Sequence, residues 1–158
     1  MRTHKIRYAA LVGPDLSETW GALLKVHAGL VPRLDRELQD TQGLPLTWYD
    51  VLLELNSAPG RRLTMGQLGS VAAVSRTRVS RVVDELTRAG LVTREPNPDD
   101  GRSAFAALTP AGRAALRRAA PTYVAAVQRE FADHLTAHET KVLAAAFRKV
   151  LAATAQES

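Results

Sequence analysis

Apolar residues recur along this chain at two spacings, and the switches between them mark out its elements. Trp20, Leu23, Leu24, Leu30, Val31, Leu34 and Leu38, with His27 in the same stripe, return every three or four positions, which predicts an amphipathic helix. Asp15 or Ser17 stands where its N-cap belongs, and Gly43 and Pro45 stop it. Thr47 with Asp50 three positions on has the form of a capping box, with Leu46 and Val51 spaced as a hydrophobic staple. They predict a second helix through Leu52, Leu53 and Leu55 to about Asn56. Pro59-Gly60 then turns the chain, and Arg61-Arg62-Leu63 has the length of a very short strand.

Thr64 with Gln67 opens a short third helix, Met65 to about Ala72, and Ser75 caps a fourth. In the fourth, Val79, Val82, Val83 and Leu86 fall at i, i+3, i+4 and i+7, and Gly90 is placed as its stop. The period then changes. Leu91–Glu95 and Ser103–Leu108 read as strands around the turn-forming run Pro96-Asn97-Pro98-Asp99-Asp100-Gly101, which predicts a hairpin. Thr109-Pro110 starts a long helix running to about Leu135, with Pro121 as a kink. Thr136 and Glu139 form a further capping box, ahead of a last helix with Leu143, Phe147, Val150 and Leu151 on one face.

Two helices joined by a tight turn and followed by a hairpin have the layout of a winged helix-turn-helix. The expected fold is therefore mainly α with a small β-hairpin wing, a winged helix-turn-helix flanked by N- and C-terminal dimerisation helices. Residues 1–158 form one domain, with 47–118 as the winged region and 1–42 and 119–158 as the dimerisation helices. An isolated winged helix would leave Leu11, Val12, Leu16, Leu143, Phe147, Val150 and Leu151 in water. A twofold dimer would bury them.

Charge sharpens this picture only once it is divided. The 158 residues carry 21 Lys+Arg and 16 Asp+Glu, a net +5. Residues 61–118 hold eleven arginines against five acids, so the whole excess lies in this central block and the remainder is close to neutral. A local basic block is the electrostatic footprint of a nucleic-acid-binding surface. The helix from Ser75 to Arg88 carries Ser75, Arg76, Thr77, Arg78, Ser80 and Arg81 away from its apolar face. Short hydroxyl residues allow close approach to a major groove, and arginines reach guanine edges or phosphates. Arg102, at the hairpin tip, suits the negative minor groove, with Asp100 placed to orient it.

The stretch LTMGQLGSVAAVSRTRVSRVVDELTRAGLVTREPNPDDGRSAFAALTPAGRAAL resembles the multiple-antibiotic-resistance regulator (MarR) family. The resemblance rests on the VSRTRVSRVVDELTRAGLV segment, on Asp100-Gly101-Arg102 and on Leu108-Thr109-Pro110-Ala111-Gly112. LPLTWYDVLLEL and the C-terminal helices extend it from about Asp15 to Leu151. The resemblance implies a homodimer interlocked through its first, fifth and sixth helices, and a transcription factor that binds a palindromic operator in double-stranded DNA. It also implies repression relieved by a small aromatic or anionic effector. Trp20, His27, Trp48, Tyr49, Asp50 and Arg113 are the candidates to line that effector's crevice. Trp20 and Asp50 also match a urate-responsive subgroup, although each has a local reading, in the helix stripe and the capping box. Two positions depart from the family pattern. Ala73 stands where a glycine is usual, and Asp99 stands where a basic residue is often found.

Other functions find little in the sequence. There is no cysteine, which excludes disulfides, thiolate metal sites and thiol catalysis. No G-x-S-x-G, G-x-G-x-x-G or G-K-[ST] motif occurs. His134 and His138 stand four apart, but no H-E-x-x-H motif or cysteine accompanies them, and the capping Thr136 falls between them. No enzyme activity, cofactor, metal or membrane partner is expected, and no apolar run approaches a membrane span. The expected location is the cytoplasm. The alternative from another class is a winged-helix protein-interaction module without sequence-specific DNA binding, whose fourth helix would expose apolar anchors.

Overall fold

The computed structural model describes residues 13–73 and 76–155. Leu11, Val12 and Ser75 lie outside them, and Arg76 is described by its backbone alone. The first helix, α1, spans Pro14–Gln42. It starts at Pro14 behind Gly13 rather than at a side-chain cap on Asp15 or Ser17. Proline at the first helical position lacks an N–H that would need a cap, and its φ is already helical. Gly43 stops α1 in the left-handed region, donating its N–H to the Gln39 carbonyl at 2.9 Å.

The expected capping box of the second helix is not formed. Helix α2 spans Leu46–Ser57 and makes no side-chain cap bond from its own N-cap, Pro45. Asp35 of α1 accepts the Leu46 N–H at 2.8 Å, so the preceding helix caps this one. Asp50 is thereby left for another partner. After a short 3₁₀ turn, Pro59–Arg61, strand β1 covers Arg62–Thr64, one residue later than the sequence pattern places it. Helix α3, Met65–Val71, opens with the expected box: Thr64 Oγ1 accepts the Gln67 N–H and Gln67 Oε1 accepts the Thr64 N–H.

Helix α4, described over Arg76–Arg88, ends before Gly90, whose φ of 72° lets Leu91 N–H return to the Leu86 carbonyl. Strands β2, Val92–Pro96, and β3, Ala104–Leu108, form the hairpin, and the antiparallel sheet runs β1-β3-β2. Val92 faces Leu108, and Leu63 faces Ala106. Helix α5 spans Pro110–Glu130. It stops short of Leu135 because Phe131 leaves helical geometry, and a 3₁₀ turn follows at Ala132–His134. His134 and His138 therefore occupy different elements rather than one helical face. Helix α6, Ala137–Ala155, starts at the expected Thr136–Glu139 box.

The core lies where α2, α4 and α5 meet the sheet. Leu52, Leu55, Leu68, Val83 and Leu86 are fully buried there with Val51, Val79 and Ala106. The Leu-Thr-Pro-Ala-Gly motif has a mechanical reason. Thr109 Oγ1 accepts the Gly112 N–H and donates to the Gly90 carbonyl, which pins the start of α5 to the end of α4. Any Cβ on Gly112 would collide with the Leu91 carbonyl and a Leu108 methyl. Beyond this unit, α1 lies along α5. It is tied there by Arg33–Glu130 at 3.1 Å and Arg129–Glu37 at 2.6 Å.

Candidate nucleic-acid interface

Helix α4 sorts its residues as the spacing predicts. Val79, Val82, Val83 and Leu86 enter the core, while Thr77, Arg78, Ser80 and Arg81 are exposed. Among the described residues, no carboxylate pairs with Arg78 or Arg81, whereas Arg62 and Arg94 are engaged by Glu95 and Asp84. The cationic surface left for a partner is therefore narrower than the arginine count suggests, and it is centred on α4. An open cavity of about 460 Å³ runs beside it, lined by Thr47, Thr77, Arg78, Arg81, Val82 and Glu85.

Three polar contacts hold α4 in place. Trp48 of α2 donates its indole N–H to Glu85 at 3.0 Å. Arg94 of β2 reaches Asp84 at 2.7 Å, joining wing to helix. Asp50 of α2 accepts the Ala73 N–H at 2.8 Å, in the turn between α3 and α4. Burial pushes the Asp50 carboxyl above its usual range, against the opposing pull of the Ala73 hydrogen bond. Burial also raises Glu54, one turn on, and Tyr123 of α5, and the Asp50 charge adds to both shifts. Tyr49 stacks on Tyr123 with ring centroids 4.5 Å apart, and burial and Tyr123 raise its pKa as well.

The wing tip is bound to itself. Asn97 Nδ2 donates to Ser103 Oγ at 2.8 Å, and Asn97 Oδ1 accepts the Asp99 N–H at 3.1 Å. Asp100 Oδ1 accepts the backbone N–H of Arg102 at 3.0 Å. Asp100 therefore fixes the path of the chain at Arg102 rather than the rotamer of its guanidinium. Among the described residues that guanidinium has no carboxylate partner, and the side chain is exposed. At the base of the wing, Arg62 lies 4.7 Å over the Phe105 ring.

The six residues named for an effector crevice are distributed over α1, α2 and α5. Trp20 and His27 are exposed on α1, Tyr49 is buried, and Trp48 and Asp50 are engaged with Glu85 and Ala73. Arg113 lies half-buried in the first turn of α5. A separate cavity of about 320 Å³ lies where α1, α2 and α4 meet, lined by Val31, Pro32, Asp35, Leu46, Thr47 and Arg78, among others. The sequence reading missed the roles of Asp35, Asp84, Glu85 and Arg94. Their partners stand ten or more positions away, so no local pattern marked them. Ala73 proves compatible with its turn. Among the described residues other than glycine, only Arg61 has positive φ, at 53°, so the turn does not demand a glycine at Ala73.

Comparison with known proteins places this geometry among regulators. A family model described as the MarR family matches residues 42–103. Sco3205, a MarR family transcriptional regulator from Streptomyces coelicolor solved in complex with DNA, is 39% identical; the match covers 84% of this chain and 83% of that one, with a TM-score of 0.79. AbsC, a MarR family transcriptional regulator from the same organism, is 31% identical over 89% of this chain and 93% of that one, also at 0.79. A curated relative from Bacillus cereus, an uncharacterized HTH-type transcriptional regulator, is 30% identical over 118 residues, 75% of this chain and 77% of the relative.

Proposed function

Because the chain belongs to the MarR family of transcriptional regulators, we propose that it binds double-stranded DNA as a homodimer, with α4 in the major groove and Arg102 in the minor groove. The family and its relatives are regulators, not enzymes. The observation that carries the reading is that Arg78 and Arg81 are exposed, with no ion pair among the described residues, on a helix whose opposite face is fully packed. The similar Streptomyces regulator solved with DNA adds support. Ser75, Arg76, Thr77, Arg78, Ser80 and Arg81 are the proposed groove contacts, and Asp100 shapes the wing that presents Arg102.

The dimer is supported by apolar surface on the flanking helices. Leu16 is 58% exposed, Trp20 48%, Val150 61% and Leu151 66%, a density that a soluble monomer rarely leaves in water. Residues 1–42 and 119–158 would supply the dimer frame and 47–118 the DNA reader, on a palindromic operator with half-sites ~10 bp apart. We further propose a repressor acting in the cytoplasm and released by a small aromatic or anionic effector. The cavity between α1, α2 and α4 supports this part, since it is bordered by Val31, Pro32 and Leu46 with Arg78 at one side. A ligand there would touch a DNA-reading residue directly.

The test is titration of a duplex selected from random DNA with the full chain and its R78A, R81A and R102A variants at several salt concentrations. R102A is expected to weaken binding and reduce the salt slope. R78A or R81A is expected to relax base preference by about 1–3 kcal/mol at the contacted position. Unchanged affinity and slope in all three variants would contradict the reading and favour a protein-interaction module.

A further inference from the structure

Asp50 does not take part in the local capping box that its spacing from Thr47 suggests. It does not cap α2, and no cation answers it among the described residues. Its Oδ2 instead crosses 23 positions of chain to accept the Ala73 N–H at 2.8 Å. Ala73 belongs to the turn that aims α4, three residues before the helix is first described at Arg76. A half-buried carboxylate held on one backbone N–H fixes that N–H in direction as well as position.

We propose that Asp50 is a positioning residue for DNA recognition, setting the angle at which α4 leaves the helix-turn-helix turn by holding the Ala73 N–H against the packed face of α2. The inference rests on α4 being the DNA-reading helix and deepens that reading. Two further contacts, at Asp84 and Glu85, hold α4 beyond its first two turns. Asp50 reaches the turn at the N-terminal side of α4, the end that carries Arg78 and Arg81. A small rotation there moves the guanidinium groups relative to base edges while the core face of Val79, Val82, Val83 and Leu86 stays packed.

The groups around Asp50 give the contact a pH signature. Glu54 faces it from its own helix, Tyr123 from α5, and the Ala73 N–H from the turn. Burial raises Asp50 above the ordinary carboxylate range, so it takes up a proton at higher pH than a free Asp. Protonation removes the charge that strengthens the Ala73 contact. The same raised pKa means that Asp50 contributes to folding stability at low pH and loses that contribution as pH rises through the folded value. Acidification therefore weakens the positioning of α4 while relieving the cost of burying the carboxylate. A merely structural carboxylate would move stability and DNA affinity together.

The experiment measures binding of the full chain, D50A, D50N and R78A to the duplex recovered by selection from a random library, from about pH 8 down to about pH 5. Amide hydrogen exchange at Ala73 is followed alongside. D50A is expected to bind about tenfold more weakly and to exchange the Ala73 amide faster. D50N, whose side-chain carbonyl still accepts the N–H, is expected to recover most of that loss. As pH falls, the wild type should lose affinity relative to D50N. If D50A does not fold, the pH difference between wild type and D50N decides the matter. Parallel pH profiles for those two proteins, or a D50A that binds normally while R78A is weakened, would overturn the role of Asp50 and leave the DNA reading standing. An R78A that binds like wild type would overturn the reading of α4 itself, and the positioning role with it.

Discussion

Leu86, on the inner face of α4, is completely buried, whereas Leu151, near the end of α6, leaves 66% of its surface in water. The contrast extends to whole regions. From α2 to the first half of α5, every long apolar stripe meets another element, and the helices are capped, pinned or closed by a bond to a neighbour. In α1 and α6 the stripes are equally regular, yet Leu16, Trp20, Leu24, Val142, Val150 and Leu151 remain exposed among the described residues. The same 3–4 spacing thus describes a finished core in one region and an unfinished one in the other. Periodicity reports that a helix has an apolar face, and only the packing reports whether one chain can cover it.

Truncation should separate the two regions most strongly. Leu86→Ala is expected to lower unfolding stability by about 2–5 kcal/mol, measured by denaturant titration. Leu151→Ala should leave the winged unit intact and instead shift the self-association equilibrium in sedimentation. An equal loss of stability from both would erase the distinction. Gly112→Ala tests the junction between them. The added methyl meets the Leu91 carbonyl and Leu108, and overpacking of this kind is expected to cost about 1–3 kcal/mol, visible as a lower melting temperature. Arg94→Ala removes the exposed pair with Asp84. Stability should change by under about 1 kcal/mol, while wing amides should exchange faster.

The smallest effect concerns pH. Burial first and the Asp50 charge second raise the Glu54 pKa. A raised carboxyl contributes stability below its unfolded pKa and loses it as pH rises through the folded one. Glu54→Gln should therefore flatten that limb and be slightly favoured over wild type at neutral pH. Glu139 gives the opposite sign, because its pKa is lowered by the Thr136 backbone N–H and hydroxyl. Its contribution is present at neutral pH and fades on acidification. Comparing the stability profiles of E54Q and E139Q with that of wild type checks both signs.

These contrasts also show what a single sequence can reveal. Features within one turn were legible: the Thr64–Gln67 and Thr136–Glu139 boxes form, and Thr109 caps a helix that opens on Pro110, as the pattern indicates. The Thr47–Asp50 box had the same form and failed, because Asp35 satisfies the α2 terminus from 11 positions away and Ala73 claims Asp50 from 23. Nothing local separates the box that forms from the box that does not. The exposed row on α4 was legible for the same reason as the core, since both follow from one helical period. Its effective charge was not, because the engagement of Arg62 and Arg94 depends on strand register and on wing-to-helix packing.

The proposed assembly mounts a charged reader twice, in twofold symmetry, on an apolar frame. Selection of bound sequences from random duplex DNA by the full chain tests it most directly. The predicted result is a palindrome whose half-sites are separated by ~10 bp. Enrichment of a lone half-site, or of nothing at all, would contradict it.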